Sequence, residues 1–380
     1  MRILVAPDKF RGTLTAAEAA SAIARGWRRV RPHDVIEEVP LADGGEGTLD
    51  ALLAALGGER RTARVSGPLG DEIEATFGLA GPRGRLGIVE MARASGLGLV
   101  SPARRDPMRA STRGTGELIL AALRAGAREV LVCLGGSATT DGGAGMAQAL
   151  GVALLDAEGV PVGPGGAGLL RLARIDATRL DPLARAARVQ AACDVDSPLA
   201  GPRGAAHAFG PQKGASPEEV LLLDRALRHL AAVVHRDLGI DVRDLPGAGA
   251  AGGLGAGLAA FLGARLRPGV QVVMEAVGLG RRIRAADLVL TGEGAFDESS
   301  LRGKVPAGVL ALSRSAGVPV VILCGRAEIR PDGVKVRSLV ERFGPERPLA
   351  EARLALEELA ASIAGGFDDR PPRTARLSGP

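Results

Sequence analysis

Short unbroken apolar runs, each followed by a polar or glycine-bearing loop and then by apolar residues at helical spacing, recur along this chain. Ile3-Leu4-Val5 opens the first. The loop after it ends at Thr15-Ala16-Ala17-Glu18, a capping box that announces a helix with Ala20, Ile23, Trp27 and Val30 as its apolar stripe. Val35 to Val39 leads through Asp43-Gly44-Gly45-Glu46-Gly47-Thr48 into a helix carrying Leu49, Leu52, Leu53 and Leu56. The pattern returns at Val130-Leu131-Val132-Cys133-Leu134, at Leu288-Val289-Leu290 and at Val320-Val321-Ile322-Leu323. Strands without polar alternation are buried on both faces, and strands that alternate with helices pair in parallel. The fold class expected is α/β, built on a parallel sheet.

Between about Arg60 and Leu245 the pattern changes. Glu72 to Phe77, Arg85 to Val89 and Val152 to Leu155 alternate like strands of a mixed sheet, with helices between them. With 380 residues, 46% of them hydrophobic, the chain fills two cores more readily than one. The expected organisation is a discontinuous parallel-sheet domain, 1–60 plus 246–364, with a mixed α/β domain, 61–245, inserted into it. The return at Pro246-Gly247 follows a long helix on Val220, Leu223, Leu227, Leu230 and Val234, and 365–380 reads as a flexible tail.

Several classes of function fall away on composition. No window approaches the ~18 apolar residues of a membrane span, and the start turns polar too soon for a signal peptide, so no membrane partner and a cytoplasmic location are expected. The net charge of +5 is scattered, and one Trp with no Tyr leaves little to stack on bases, which argues against nucleic acid. Cys133, Cys193 and Cys324 sit in apolar runs without C-x-x-C spacing and read as core residues.

Four loops carry the candidate chemistry: Pro7-Asp8-Lys9, Asp43 to Thr48, Gly135-Gly136-Ser137-Ala138-Thr139-Thr140-Asp141-Gly142-Gly143, and Thr291-Gly292-Glu293-Gly294. Open parallel sheets bind ligands beyond the carboxyl ends of their strands. Glycine there lets a phosphate approach the backbone, hydroxyls donate to it, and carboxylates hold a metal or accept a proton. Glycine also simply turns a chain, and Asp or Thr caps the next helix, so each loop alone keeps both readings. Lysine is confined to positions 9, 213, 304 and 335 among 48 basic residues, which draws attention to Lys9 and Lys213 as compact phosphate contacts. Asp194, after the apolar Ala191-Ala192-Cys193, is placed to accept the proton of an attacking hydroxyl, or to make a turn before Pro198.

The familiar nucleotide signatures are absent or out of context. Gly303-Lys304 is followed by Val305 and lacks the rest of a Walker A loop. His235-Arg236-Asp237-Leu238 copies a protein-kinase catalytic loop, but Val242 stands where that loop has its metal-binding Asn. Gly247-Ala248-Gly249-Ala250-Ala251-Gly252 matches the dinucleotide fingerprint, though Asp241 to Pro246 makes a poor strand before it. That loop can serve a nicotinamide or flavin, hold a nucleotide phosphate through Gly252 and Gly253, or pack a helix.

Taken in order, the motifs resemble those of the bacterial glycerate kinases that lack a Walker A loop. The likeness is carried by Ala6 to Leu14, Ala42 to Thr48, Gly67-Pro68-Leu69-Gly70, Glu90 to Leu97, Gly114 to Ile119, Gly135 to Gly143, Cys193-Asp194-Val195, Phe209 to Ala215, Pro246 to Gly257 and Thr291 to Lys304. It implies a Rossmann-like domain with a second α/β domain, a site lying between them, and transfer of the γ-phosphoryl of ATP to D-glycerate with Mg²⁺, 2-phosphoglycerate being favoured over 3-phosphoglycerate. Arg11, Thr140 and Ser197 depart from the family's usual Lys, Asn and Asn while keeping a donor.

On that reading Asp194 is the base, with Lys9 or Lys213 neutralising charge on the transferred group. Asp43 and Glu46 serve the metal or the substrate, and Asp194 is a further metal candidate. Ser95, Arg93, Arg109 and Arg113 face the substrate. Gly135, Gly136, Ser137, Thr139, Gly252, Gly253 and Glu293 serve the nucleotide. A homo-oligomer is left open, as are two rival functions: an oxidoreductase using Gly247 to Gly252, and a non-catalytic small-acid binding protein.

Overall fold

A computed structural model describes residues 1–81 and 84–367. Its strands are β1 (Arg2–Val5), β2 (Val35–Glu38), β3 (Gly58–Ser66), β4 (Glu72–Ala80), β5 (Leu86–Glu90), β6 (Glu129–Cys133), β7 (Ala153–Leu155), β8 (Arg174–Asp176), β9 (Arg188–Ala192), β10 (Arg265–Arg267), β11 (Leu288–Phe296), β12 (Val320–Ala327) and β13 (Lys335–Ser338). The chain divides into two compact units. The first comprises Met1–Asp43, Asp50–Ala55 and the segment from Val270 onward; the second comprises Gly44–Leu49 and Leu56–Gly269.

The first unit holds a wholly parallel sheet in the order β13-β12-β11-β1-β2. Ile3, Val5, Leu288, Leu290, Val321 and Leu323 pack on one face against the helices Ala16–Val30 and Ala352–Gly365. Phe296, Ile322, Cys324 and Val336 pack on the other with Leu310 of the helix Val305–Ala316. The expected capping box is formed: Thr15 Oγ1 accepts from Glu18 N at 3.2 Å, and a Glu18 carboxylate oxygen accepts from Thr15 N at 2.8 Å. Val30, expected in the apolar stripe, is instead 44% exposed at the end of that helix. Strand order fixes the geometry that matters for a ligand. From β1 the chain steps to β2 on one side, whereas from β11 it steps to β12 on the other. The crevice beyond the carboxyl ends of β1 and β11 is therefore the topological switch point.

The second unit holds a mixed sheet, β10-β9-β6-β5-β4-β3, whose first four strands are parallel and whose last two return antiparallel. The stretch Val152 to Leu155, expected in this sheet, pairs instead with β8 in a two-stranded ribbon. Its large core includes Ala248, Leu254, Leu258 and Phe261, so residues 246–269 pack with this unit, and the chain returns to the first unit at Val270 rather than at the expected Pro246. His235 to Leu238 close the helix Pro217–Leu238, and Asp237 there accepts from Arg236 and from Ile175 N. Of the tail expected at 365–380, residues 368–380 lie outside the described residues, while the Phe367 ring meets Trp27 edge-on at 5.9 Å. Cys133, Cys193 and Cys324 are buried, and among the described residues no helix is long and apolar enough to cross a membrane.

The cap at Thr15 holds the helix that carries fully buried Trp27 into the first core. Thr15→Ala is expected to lower unfolding free energy by about 1 kcal/mol, read from urea midpoints. An unchanged midpoint would show that the helix end is held by its packing alone.

Candidate active site

In the first unit the ladder between β1 and β11 runs on past the strand end. Ala6 N donates to Leu290 O at 2.7 Å, Asp8 N donates to Gly292 O at 2.8 Å, and Thr291 Oγ1 donates to Ala6 O at 2.7 Å. The register that pairs Ile3 with Leu288 and Val5 with Leu290 thus sets Asp8 beside Glu293 at the switch point. Both are nearly buried, at 5% and 7% exposure. Burial first, and then the neighbouring Asp43 carboxylate, push the Asp8 carboxyl up to about 7, against a 2.7 Å bond from Lys9 N. Burial likewise raises Glu293, opposed by the Ser300 hydroxyl and by Lys304. Lys9 Nζ lies 3.8 Å from Asp43, each about one-third exposed. Of the expected site residues, Lys9, Asp43 and Glu293 meet here, joined by Asp8.

The second unit gathers its loops at the carboxyl ends of β5, β6 and β9. Glu90, the last residue of β5 and 3% exposed, accepts from Gly47 N at 2.9 Å and Leu49 N at 3.0 Å through one oxygen. Its other oxygen accepts from Arg93 Nε at 2.6 Å. A carboxylate thereby satisfies the open N–H groups that begin the helix Thr48–Leu56, as the positive end of a helix favours. Gly44 packs under this loop, where a Cβ would lie 2.7 Å from Gly269 Cα. Glu46 is exposed on it. After β9, Asp194 is exposed, and its Oδ1 accepts from Gly269 N at 3.1 Å.

The loop after β6 is built differently. Gly136 takes φ +71°, and Gly96 bridges Ser137. Ser95, expected to face substrate, is fully buried with its hydroxyl 2.8 Å from that of Thr115, fastening segment 92–97 to the helix Arg113–Arg124. The hydroxyls of Thr139 and Thr140 are buried without a hydrogen-bond partner. Asp141 is fully buried and takes hydrogen bonds from Thr112 N (2.8 Å), Thr112 Oγ1 (2.9 Å), Gly143 N (3.1 Å) and Gly145 N (3.2 Å). Lys213, 2% exposed, donates to Thr139 O at 2.6 Å. Burial pushes its ammonium down to about 7, with the Asp141 carboxylate acting the other way. Lys213 thus braces the loop from within rather than standing on an open surface.

Gly252 and Gly253 also prove to be internal. With φ of +68° and +90° they lie against the 139–143 loop: Gly142 N donates to Gly252 O at 3.0 Å, and a Cβ on Gly252 would sit 1.9 Å from Thr139 O. No strand precedes the Gly247 to Gly252 stretch, so the dinucleotide fingerprint lacks its context, and its glycines serve close backbone packing. Arg109 and Arg113 come together on a cleft of about 620 Å³ lined also by Ser66, Ser111 and Gln148, where Arg113 Nε donates to Glu117 at 3.1 Å. Arg93 is not on that cleft.

Among the described residues no group of three or more His, Cys, Asp or Glu side chains is arranged to hold a metal ion, so Asp43, Glu46 and Asp194 do not form one cluster. The switch-point acids do fit a divalent cation. Glu293 Oε1 is buried without a hydrogen-bond partner, and the donors are hard oxygens. Mg²⁺ takes one or two carboxylates and completes its shell with water and phosphate.

Three comparisons bear on what these loops serve. The model of the Glycerate kinase family matches residues 3–366. The chain belongs to that family. It is 49% identical to the glycerate kinase of Halalkalibacterium halodurans over 323 residues, 85% of each chain. It is 48% identical to the glycerate 2-kinase of Escherichia coli K12 over 325 residues, 86% of this chain and 85% of that one. The crystal structure of a candidate glycerate kinase 2 from Salmonella typhimurium LT2 superposes with a TM-score of 0.89 at 45% identity, covering 96% of this chain and 97% of that one. Family membership makes the protein a phosphotransferase, as the resemblance implied. Glu90 and Thr112 are the residues that sequence reasoning left out of the site, while Asp8 and Asp141 lay in loops it named without a role of their own. An acid directly after or at the end of a buried apolar run, as at Asp8 and Glu90, was the available signal.

The Lys213 brace has a pH signature. Between about 7 and 10.5 the folded chain has released the Lys213 proton while the unfolded chain, at the ordinary lysine value, still holds it. The unfolded state then binds more protons, so this group makes stability rise with pH across that window. Lys213→Met is expected to remove that part of the slope. Urea midpoints at several pH values check it, and parallel slopes for both proteins would reject the assignment.

Proposed function

We propose that this enzyme transfers the γ-phosphoryl group of ATP to a hydroxyl of D-glycerate, with Mg²⁺ as the metal. The observation that carries the reading is the gathering of acid, hydroxyl and glycine groups beyond the carboxyl ends of β1 and β11 in one unit and of β5, β6 and β9 in the other. Such a set suits a reaction that needs positioning and charge neutralisation more than covalent chemistry. The family and the names of the relatives favour glycerate as the acceptor, and the name of the Escherichia coli relative favours its 2-hydroxyl.

Each side chain then has a definable task. Gly135 and Gly136 leave room for phosphate oxygens, and Ser137 and Thr139 donate to them. The buried, unpartnered Thr139 hydroxyl is a donor in want of an acceptor. Lys213 and Asp141 hold that loop from behind. Lys9 carries the positive charge that offsets charge on the transferred group. Asp194, exposed and oriented by the Gly269 amide, accepts the proton of the glycerate hydroxyl. Arg109 and Arg113, sharing one cleft, suit a carboxylate with planar, bidentate donors. Bound Mg²⁺ would neutralise the phosphate charge, with buried carboxylates of the first unit as its holders.

Neither rival finds an observation of its own. The fingerprint glycines are internal, and a passive binding protein gives no account of the paired acids at the switch point.

The test is ADP release from ATP and Mg²⁺ with D-glycerate, L-glycerate, glycerol or no acceptor, and phosphorus NMR to read the position of the new ester. Turnover with D-glycerate alone is expected; none with any acceptor would sink the reading. Asp194→Asn is expected to lower kcat by about 10²–10⁴-fold with the melting temperature unchanged. Near-normal turnover would remove Asp194 as the base.

A further inference from the structure

We propose that Asp8 and Glu293 together form the seat of the divalent cation. This rests on the phosphotransferase reading and makes it specific at a pair of residues. The pair is built by the backbone: the parallel ladder continues past the end of β1 and sets Asp8 in register with Glu293 inside β11, at the one place in the parallel sheet where the chain departs to opposite sides. Side chains in register on neighbouring parallel strands leave the sheet on the same face, so the two carboxyl groups share one space.

That space is only partly compensated by the Lys9 and Lys304 ammonium groups near it. Glu293 is 7% exposed, and its Oε1 is buried without a hydrogen-bond partner. Asp8 is 5% exposed and accepts a hydrogen bond from Lys9 N. Of these two ammonium groups, Lys9 lies 3.8 Å from Asp43, and Lys304 Nζ donates to Ser299 Oγ at 2.7 Å. An orphaned buried carboxylate oxygen costs free energy unless a ligand meets it. Two hard oxygen donors facing one space match what Mg²⁺ or Mn²⁺ asks of a protein when phosphate and water supply the rest. Glu46 and Asp194, by contrast, are exposed and lie in the other unit.

Mn²⁺ is the probe, and calorimetric ADP binding by the full chain is the readout, in Mn²⁺ and in EDTA. Wild type is expected to bind ADP more tightly with Mn²⁺. In Asp8→Asn and in Glu293→Gln that gain is expected to fall at least about tenfold, while affinity in EDTA stays at the wild-type value and the melting temperature does not fall. Asp194→Asn is expected to keep the gain. Variants of Asp8 and Glu293 that retain the full Mn²⁺-dependent gain overturn the assignment, and so does its loss in Asp194→Asn alone. A wild type that binds ADP equally with and without Mn²⁺ overturns the metal–nucleotide reading itself, a failure seen before any variant is compared.

Discussion

The pairing of β1 with β11 joins residues 285 positions apart, and the parallel sheet of the first unit cannot close without it. β1 is a central strand in that sheet, yet its only local partner is β2, an edge strand with Val35 64% exposed and two glutamates. The inserted unit must be synthesised before the second neighbour of β1 exists. The gain from closing so long a separation comes from a fully apolar interface, Ile3 and Val5 against Leu288 and Leu290, sealed by a fully buried Trp27 beneath. The same ladder delivers Asp8 and Glu293 to one place, so that fold closure and assembly of the acid pair are one event.

What was legible from sequence follows from how each element meets water. β1, β6, β11 and β12 are buried on both faces, so they read as unbroken apolar runs and were found. β3 was not named, because it is an edge strand with a mostly exposed Glu59-Arg60-Arg61-Thr62 stretch that carries no apolar periodicity. The capping box at Thr15 is a local feature and was read to the residue. The return to the first unit was placed too early because Pro246-Gly247 looks like a linker. Only in three dimensions does the glycine-rich helix after it press against the 139–143 loop.

The candidate site was legible as loops and not as contacts. Glycine after a strand signals either a ligand's approach or a backbone's, and sequence alone weighs the two equally. Gly136 and Gly252 show both outcomes. A Cβ on Gly136 would meet only Ala92 Cβ at 3.5 Å, whereas one on Gly252 would strike the Thr139 carbonyl. The retained lysines divide in the same way. Lys9 is partly exposed beside Asp43, and Lys213 is sealed behind its loop. Composition marked both as unusual without telling which faced outward.

Two buried acid centres in this chain separate structure from function on physical grounds. Asp141 lies in its pocket with four donors and the Lys213 ammonium near by, so the fold itself supplies what its negative charge needs. Asp8 and Glu293 are buried almost as deeply, repel one another, and leave Oε1 of Glu293 without a donor. Burial of like charges with only partial internal compensation weakens a fold, since desolvation is not fully returned by pairing. A centre whose charge is balanced from within needs nothing further to explain it. One that is not balanced gains its compensation from a bound cation and the phosphates that accompany it, and this difference, more than the glycine motifs, is what distinguishes the working end of the parallel sheet.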